Sequence, residues 1–233
     1  MISIEEDNLI QQLSIDCVIF GYEDKRLKVL IPKFKCNFPM YSLPGGFIFQ
    51  DESIDNAAKR ILKERTEIKD IYLEQFCVFG KENRVNEMVL TKSNELKLSK
   101  EHFEWLNKRF VSIGYYALVD IKKVTPKISE LDENIQWYNV KEVPKLIIDH
   151  NEIISKAQET LRQNIDNKLI AFNLLPESFT MREVQELYEA IYDKPFARNN
   201  FQKKMLDLDV LERLEKKFTG AANKAPYLYR FKR

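Results

Sequence analysis

The chain has 233 residues, 44% of them hydrophobic, with 37 Lys and Arg against 36 Asp and Glu and a formal charge of +1. This length suits one large domain or two modest ones, and the apolar fraction is enough for real cores, which excludes a disordered chain. No apolar run approaches the ~20 residues of a spanning helix, and Met1 is followed by Glu5, Glu6, Asp7 and Asn8 in place of a basic-then-apolar leader. The expectation is a soluble, cytoplasmic protein with no membrane partner.

The first part alternates strand and helix signals. Ile15–Tyr22 is rich in β-formers, Glu23–Arg26 turns, and Leu27–Ile31 returns as a second strand. Pro44, Gly45 and Gly46 break the chain between two short extended pieces. Ser53 can then cap a helix in which Ile54, Ala57, Ala58, Ile61, Leu62 and Arg65 follow the i, i+3, i+4, i+7 pattern. Further strands are predicted at Ile71–Phe79, Phe110–Val119 and Gln136–Val140. The polar stretch Glu82–Lys108 between them reads as an inserted loop carrying a short helix from about Ser99. A helix at Asn151–Gln163 closes this unit.

Asn164–Lys168 is polar and reads as a linker. After it, Thr180 and Glu183 form a capping-box pattern ahead of a helix with Val184, Leu187, Tyr188 and Ile191 on its apolar face. Pro195 separates this from a second helix, Arg198–Leu208, whose apolar face is Phe201, Met205 and Leu208. Two strand-like stretches, Val210–Phe218 and Tyr227–Phe231, follow, joined by the Gly220–Pro226 loop.

Charge is unevenly divided. Residues 168–233 hold 13 Lys and Arg against 9 Asp and Glu, and from Lys194 onward the ratio is 11 to 4. Such asymmetry suggests an anionic partner at the C-terminal end. Helix, turn, basic helix and basic hairpin are the parts of a winged helix-turn-helix, in which the second helix enters the DNA major groove and the hairpin touches the flanking backbone. The candidate recognition helix offers Arg198, Asn199, Asn200, Gln202, Lys203 and Lys204, and the hairpin offers Lys224. Arg, Asn and Gln suit base edges and Lys suits phosphates. Pattern alone leaves open a small helical protein-interaction domain with a solvated basic face.

Cys17, Cys36 and Cys77 are scattered, and no pair has the short spacing of a zinc site; His102 and His150 are far apart. Cys17 and Cys77 lie in apolar runs and read as buried thiols. Neither a metal site nor a disulfide framework is expected. Asp149 and His150 form a possible acid/base pair, but they fall just before a helix, where capping and packing account for them.

The most specific stretch is Leu43–Ile68, LPGGFIFQDESIDNAAKRILKERTEI. Aligned on Gly46 it resembles the Nudix box, matching at Glu52, Arg60, Leu62, Glu64 and Ile68. It departs at three places: Ile61 and Arg65 stand where the family has glutamates, and Glu67 where it has glycine. The resemblance implies a Nudix-type α/β/α sandwich over residues 1–165. Nudix hydrolysis needs magnesium held by clustered carboxylates. Ile61 offers no ligand, and Arg65 places a cation at the expected site. The remnants Glu52, Arg60 and Glu64 therefore imply a catalytically degenerate domain with no cofactor. The alternative is a residual magnesium-dependent hydrolase of nucleoside diphosphate derivatives, with Glu67 as a further ligand.

A spoiled Nudix box followed by this C-terminal unit (166–233) resembles the Nudix-related transcriptional regulators, in which a sensor domain changes the affinity of a dimer for an operator. The likeness runs from Phe172 to the closing Leu228-Tyr229-Arg230-Phe231. The chain is expected to be an α+β, homodimeric, ligand-responsive DNA-binding protein. Its effector is expected to be either a pentose or an ADP-ribose-like nucleotide. Pocket candidates are Gly45, Gly46, Phe47, Phe79, Arg84 and one of Tyr115 and Tyr116, which point to opposite faces of a strand. Arg60 and Arg84 are candidates for a phosphate. The 82–108 insertion is expected to form a lid anchored by Phe103 and Trp105.

Overall fold

The computed structural model describes residues 8–68, 71–84, 104–166, 170–217 and 225–232. Six strands form one sheet: β1 (Leu9–Glu23), β2 (Arg26–Phe34), β3 (Gly45–Phe49), β4 (Tyr72–Phe79), β5 (Val111–Val119) and β6 (Asp132–Asn139). Their order is β4-β5-β1-β2-β6, and β3 pairs with the first half of β1. The central β1–β5 pair is parallel and the other pairings are antiparallel. The β1–β2 hairpin turns through Asp24 and Lys25, both left-handed (φ 50° and 59°). Such a turn matches the twist of the flanking strands.

Strand alternation divides the core in two. Odd-numbered Ile15, Cys17, Ile19, Ile113, Tyr115, Ala117 and Val119 face α1 (Ile54–Thr66), meeting Ala57, Ala58, Ile61 and Leu62. Even-numbered Val18, Phe20, Tyr116 and Leu118 face α2 (His150–Asn164), which contributes Ile153, Ile154, Ala157 and Leu161. This is the expected sandwich of one helix on each side of a sheet. Cys17 is fully buried and its thiol pKa is pushed up by desolvation, whereas Cys77 is half-exposed on the edge strand β4, contrary to expectation.

The C-terminal unit contains β7 (Phe179–Thr180), α3 (Met181–Tyr192), α4 (Arg198–Asp207), β8 (Leu211–Lys216) and β9 (Tyr227–Phe231), with the three strands in the order β7-β9-β8. Thr180 caps α3 with a complete capping box: its hydroxyl accepts from Glu183 N, and Glu183 accepts from Thr180 N. Asp193 ends the helix in the left-handed conformation (φ 55°). Phe201 and Met205 of α4 pack on Tyr188 and its neighbours, but Leu208, expected on that face, is exposed because α4 ends at Asp207.

The two units share a core. Val184, Leu187, Tyr188 and Ile191 of α3 belong to the same buried cluster as α2 and the even-numbered sheet face. The polar stretch after α2 is less of a break than its composition suggests: the helix continues through Asn164, and Ile165 is fully buried. Ion pairs cross the same seam, Lys25 to half-buried Glu186 at 2.9 Å and exposed Lys141 to Asp193. None of the described helices is long and apolar enough to cross a membrane.

Candidate functional site

The glycine run does not interrupt the extended chain as the sequence suggested; it begins β3. Gly45 lies opposite Asp16 in the ladder, and a Cβ there would meet Ile15 O at 2.7 Å and Asp16 Oδ1 at 2.8 Å. Only glycine permits that approach. At Gly46 a Cβ would sit 3.0 Å from Ile61, so the isoleucine fills the space beneath β3 with hydrocarbon. Ser53 caps α1 by accepting from Asn56 N at 3.2 Å.

The box remnants hold this loop together. Arg60 donates to both oxygens of Glu52 (2.6 and 3.1 Å) and to Phe47 O (2.8 Å), and Phe49 N donates to Glu52 at 2.9 Å. The Arg60 hydrogen bond holds the Glu52 carboxyl below its usual pKa. Arg65, expected beside the metal site, turns away and pairs with buried Asp132, which also accepts from Ser129 N and Oγ. Glu67 stands in the left-handed conformation (φ 60°) at the helix end and pairs with Lys127 at 2.9 Å. Glu64 is exposed beside Arg60.

Magnesium does not fit this arrangement. Ile61 is hydrocarbon, Glu52 is satisfied by Arg60, and Glu67 faces Lys127. Among the described residues no group of three His, Cys, Asp or Glu side chains converges. Hard cations require several oxygen ligands. Arg60, Lys63, Glu64, Glu67 and Lys127 instead border an open cleft.

Behind the glycine loop lies a buried knot of charge. Arg84 donates from Nε to both oxygens of Asp149 (3.0 and 2.9 Å), from Nη2 to Asp16 (3.1 Å) and from Nη1 to Phe110 O (3.3 Å). Ser112 Oγ donates to Asp16 at 2.5 Å. His150 Nδ1 accepts from Leu43 N at 2.9 Å, and its Nε2 faces Asp16 Oδ1 at 3.6 Å. A backbone N–H can only donate, so Nδ1 is unprotonated and the imidazole is neutral. Burial pushes the His150 pKa down accordingly. Asp149 directs its carboxylate to Arg84 and makes no side-chain cap bond, so packing explains this pair where capping does not.

The remaining pocket candidates differ in burial. Phe79 is buried; Tyr115 is buried on the α1 face, its hydroxyl donating to Asp55 at 2.6 Å. Tyr116 is core on the opposite face, donating to Glu74 at 3.1 Å. Phe47 packs edge-on against Trp105, ring centroids 4.6 Å apart, with Phe110 beside them. Trp105 is fully covered and bonds Gln11 at 3.0 Å. Phe103 and the rest of 85–103, hence most of the expected lid, lie outside the described residues. Of the candidates, Gly45, Gly46 and Phe47 remain partly accessible.

On α4, Arg198, Asn199, Asn200 and Lys203 are exposed and Gln202 is half-buried. Lys204 is set apart from them, its ammonium 2.5 Å from Asp166 and 5.5 Å from the Tyr188 ring centre. It fastens the helix to the segment after α2 while its side chain stays 40% exposed. Lys224 lies outside the described residues.

The NrtR DNA-binding winged helix domain family matches residues 171–231. An Acinetobacter baylyi protein, the ADPR responsive transcriptional repressor NtrR, is 27% identical over 94% of this chain and 81% of its own length. The crystal structure of Shewanella oneidensis NrtR with a 27mer DNA superposes with a TM-score of 0.71 at 27% identity, covering 95% of this chain and 94% of that one. Over nearly its whole length the chain is similar to Nudix-related transcriptional regulators. A MutT/nudix family protein from Enterococcus faecalis, 19% identical over 100% of this chain and 89% of its own, shares the fold with a TM-score of 0.69. Beyond the motifs, the Asp16–Arg84 pair and the Asp132 partner of Arg65 were not read from the sequence. A lone aspartate inside the apolar Ile15–Tyr22 run was the available signal, since a buried carboxylate needs a partner.

Proposed function

We propose that this regulator is a homodimeric DNA-binding repressor whose Nudix-type domain senses an ADP-ribose-like nucleotide. The observation that carries the reading is the end-to-end likeness to an ADPR responsive repressor, combined with an exposed Arg198-Asn199-Asn200 and Lys203 surface on the second helix of the winged-helix unit. That helix enters the major groove, where Arg and Asn bond base edges and Lys203 meets phosphate. Two copies would address two half-sites about one helical turn apart. Of the two effector classes expected, the nucleotide is the one a relative's name supports.

Arg84 and Arg60 are both engaged within the protein, so neither is the phosphate partner. Of the cations bordering the open cleft beside α1, Arg60 and Lys127 already pair with Glu52 and Glu67, and we place the diphosphate there against Lys63. Binding of this kind needs no magnesium. A thermal-shift series with ADP-ribose, ribose and arabinose, each with and without magnesium, tests it, because a ligand of the native state raises Tm. A metal-independent shift with ADP-ribose is expected. A shift confined to a pentose would replace the effector, and magnesium-dependent hydrolysis lost in Glu64→Gln would restore the hydrolase reading.

A further inference from the structure

The helix α2 is keyed at both ends. Its first turn carries Asp149 and His150. His150 holds Leu43 N, and the Leu43–Gly45 loop opens the β3–α1 unit that bears the box. Asp149 is fixed by Arg84, which also grips Asp16 on the strand paired with Gly45. Loop, central strand and first turn of α2 are therefore joined by hydrogen bonds through buried Asp16, Arg84 and His150.

The last turn is keyed to the reader by a reciprocal exchange. Arg162 Nε donates to Ile191 O at 2.7 Å, and Tyr192 Oη donates to Arg162 O at 2.9 Å. Each bond satisfies a carbonyl in the final turn of a helix, where no intrahelical donor remains. The guanidinium also carries the charge favoured at a helix C-terminus. Neither α2 nor α3 can shift its end without uncapping the other. Between the two ends α2 rises about 22 Å over its 15 residues. Ile153, Ala157 and Leu161 seat it on the sheet and in the core shared with α3. Lys204 of α4 adds a pair to Asp166 just beyond the last turn of α2, whereas the pairs Lys25 to Glu186 and Lys141 to Asp193 involve neither α2 nor the box loop.

We propose that α2 is the transmission element of this regulator, with His150 and Arg84 positioning the box loop on its first turn and Arg162 and Tyr192 positioning the reader on its last. The inference rests on the effector reading above. A nucleotide seated on the β3–α1 unit displaces the Leu43–Gly45 loop, the buried knot passes that displacement to α2, and the exchanged caps pass it to α3 and the recognition helix. Coupling requires an element whose placement both sites bias, and α2 is packed to serve as one.

The test uses the full chain and a duplex selected by the wild type from a random pool. DNA affinity is measured with and without ADP-ribose for the wild type, for Arg162→Met with Tyr192→Phe, and for Lys25→Ala with Lys141→Ala. The first pair keeps the aliphatic stem and the ring while deleting both exchanged hydrogen bonds. Its ligand-free DNA affinity and its ADP-ribose affinity should stay within about threefold of wild type. The ratio of DNA affinities with and without ligand should fall at least fivefold, within the usual span of coupling factors. The second pair should keep the wild-type ratio.

At the loop end, His150→Asn retains an acceptor for Leu43 N and should keep the coupling, while His150→Phe should lose it. An unchanged ratio in the Arg162/Tyr192 variant overturns the transmission role and leaves the effector reading standing. A wild type whose DNA affinity ignores ADP-ribose overturns both.

Discussion

Replacing Arg84 by methionine removes one guanidinium from between two carboxylates that have little access to water. The Arg84, Asp16 and Asp149 side chains are 3%, 9% and 13% exposed. The substitution keeps the volume and deletes four hydrogen bonds, leaving two buried acids without their cation. Breaking a buried pair in this way costs about 3–5 kcal/mol, dominated by the desolvated charge left behind. For a chain of this length each kcal/mol lowers Tm by about 2–4 °C, so the expected fall is roughly 6–20 °C. Arg84→Lys should fall in between, because one ammonium cannot serve Asp16, Asp149 and Phe110 O together. Lys81→Met, which breaks an exposed pair with Glu152, should leave Tm unresolved from wild type. Differential scanning fluorimetry with urea titration measures all three. A fall below about 2 °C for Arg84→Met would mean the knot is not a buried ion-pair network, and the reasoning built on it would fail.

Lys203→Ala should weaken DNA binding across all sequences and lower the salt slope by about one, while Lys204→Ala should leave the slope unchanged because Lys204 is committed to Asp166. Equal slope changes in anisotropy titrations at several salt concentrations would refute that distinction. Glu67→Gly relieves a left-handed residue at the end of α1 and should stabilise by about 0.5–1 kcal/mol, read as a higher urea midpoint; a lower midpoint would count against the strain argument. Burial holds the folded pKa of His150 below its ordinary 6.5, so the unfolded chain binds the proton first and stability falls as pH drops below 6.5. Asp16, Asp149 and Arg84 are the charged groups facing it. His150→Asn should flatten the fall in Tm between pH 7.5 and 5.5, and parallel curves for the two proteins would contradict the buried neutral imidazole.

The parts of this fold that the sequence made legible are those set by local rules. Ser53 and the Thr180–Glu183 box cap the helices they were read to cap, because capping depends on residues three apart. The opposite facing of Tyr115 and Tyr116 followed from strand alternation alone, and both are buried. The degenerate box was legible as residue types, and Ile61 packs against Gly46 as its chemistry requires. What stayed hidden depends on partners far along the chain. Arg84 meets Asp16 across 68 positions and Arg65 meets Asp132 across 67, so two arginines that resembled free cations are structural. Lys204 belongs with them, since its partner Asp166 lies in a stretch whose polarity suggested only a linker.

The measurement that bears most directly on this account is the affinity of the full chain for a selected duplex, followed by fluorescence anisotropy as ADP-ribose is added without magnesium. The account predicts tight, salt-dependent binding that weakens about tenfold or more on ligand addition, a coupling of ordinary size. A DNA affinity indifferent to ADP-ribose, or an effect that appears only with magnesium and disappears in Glu64→Gln, would contradict it.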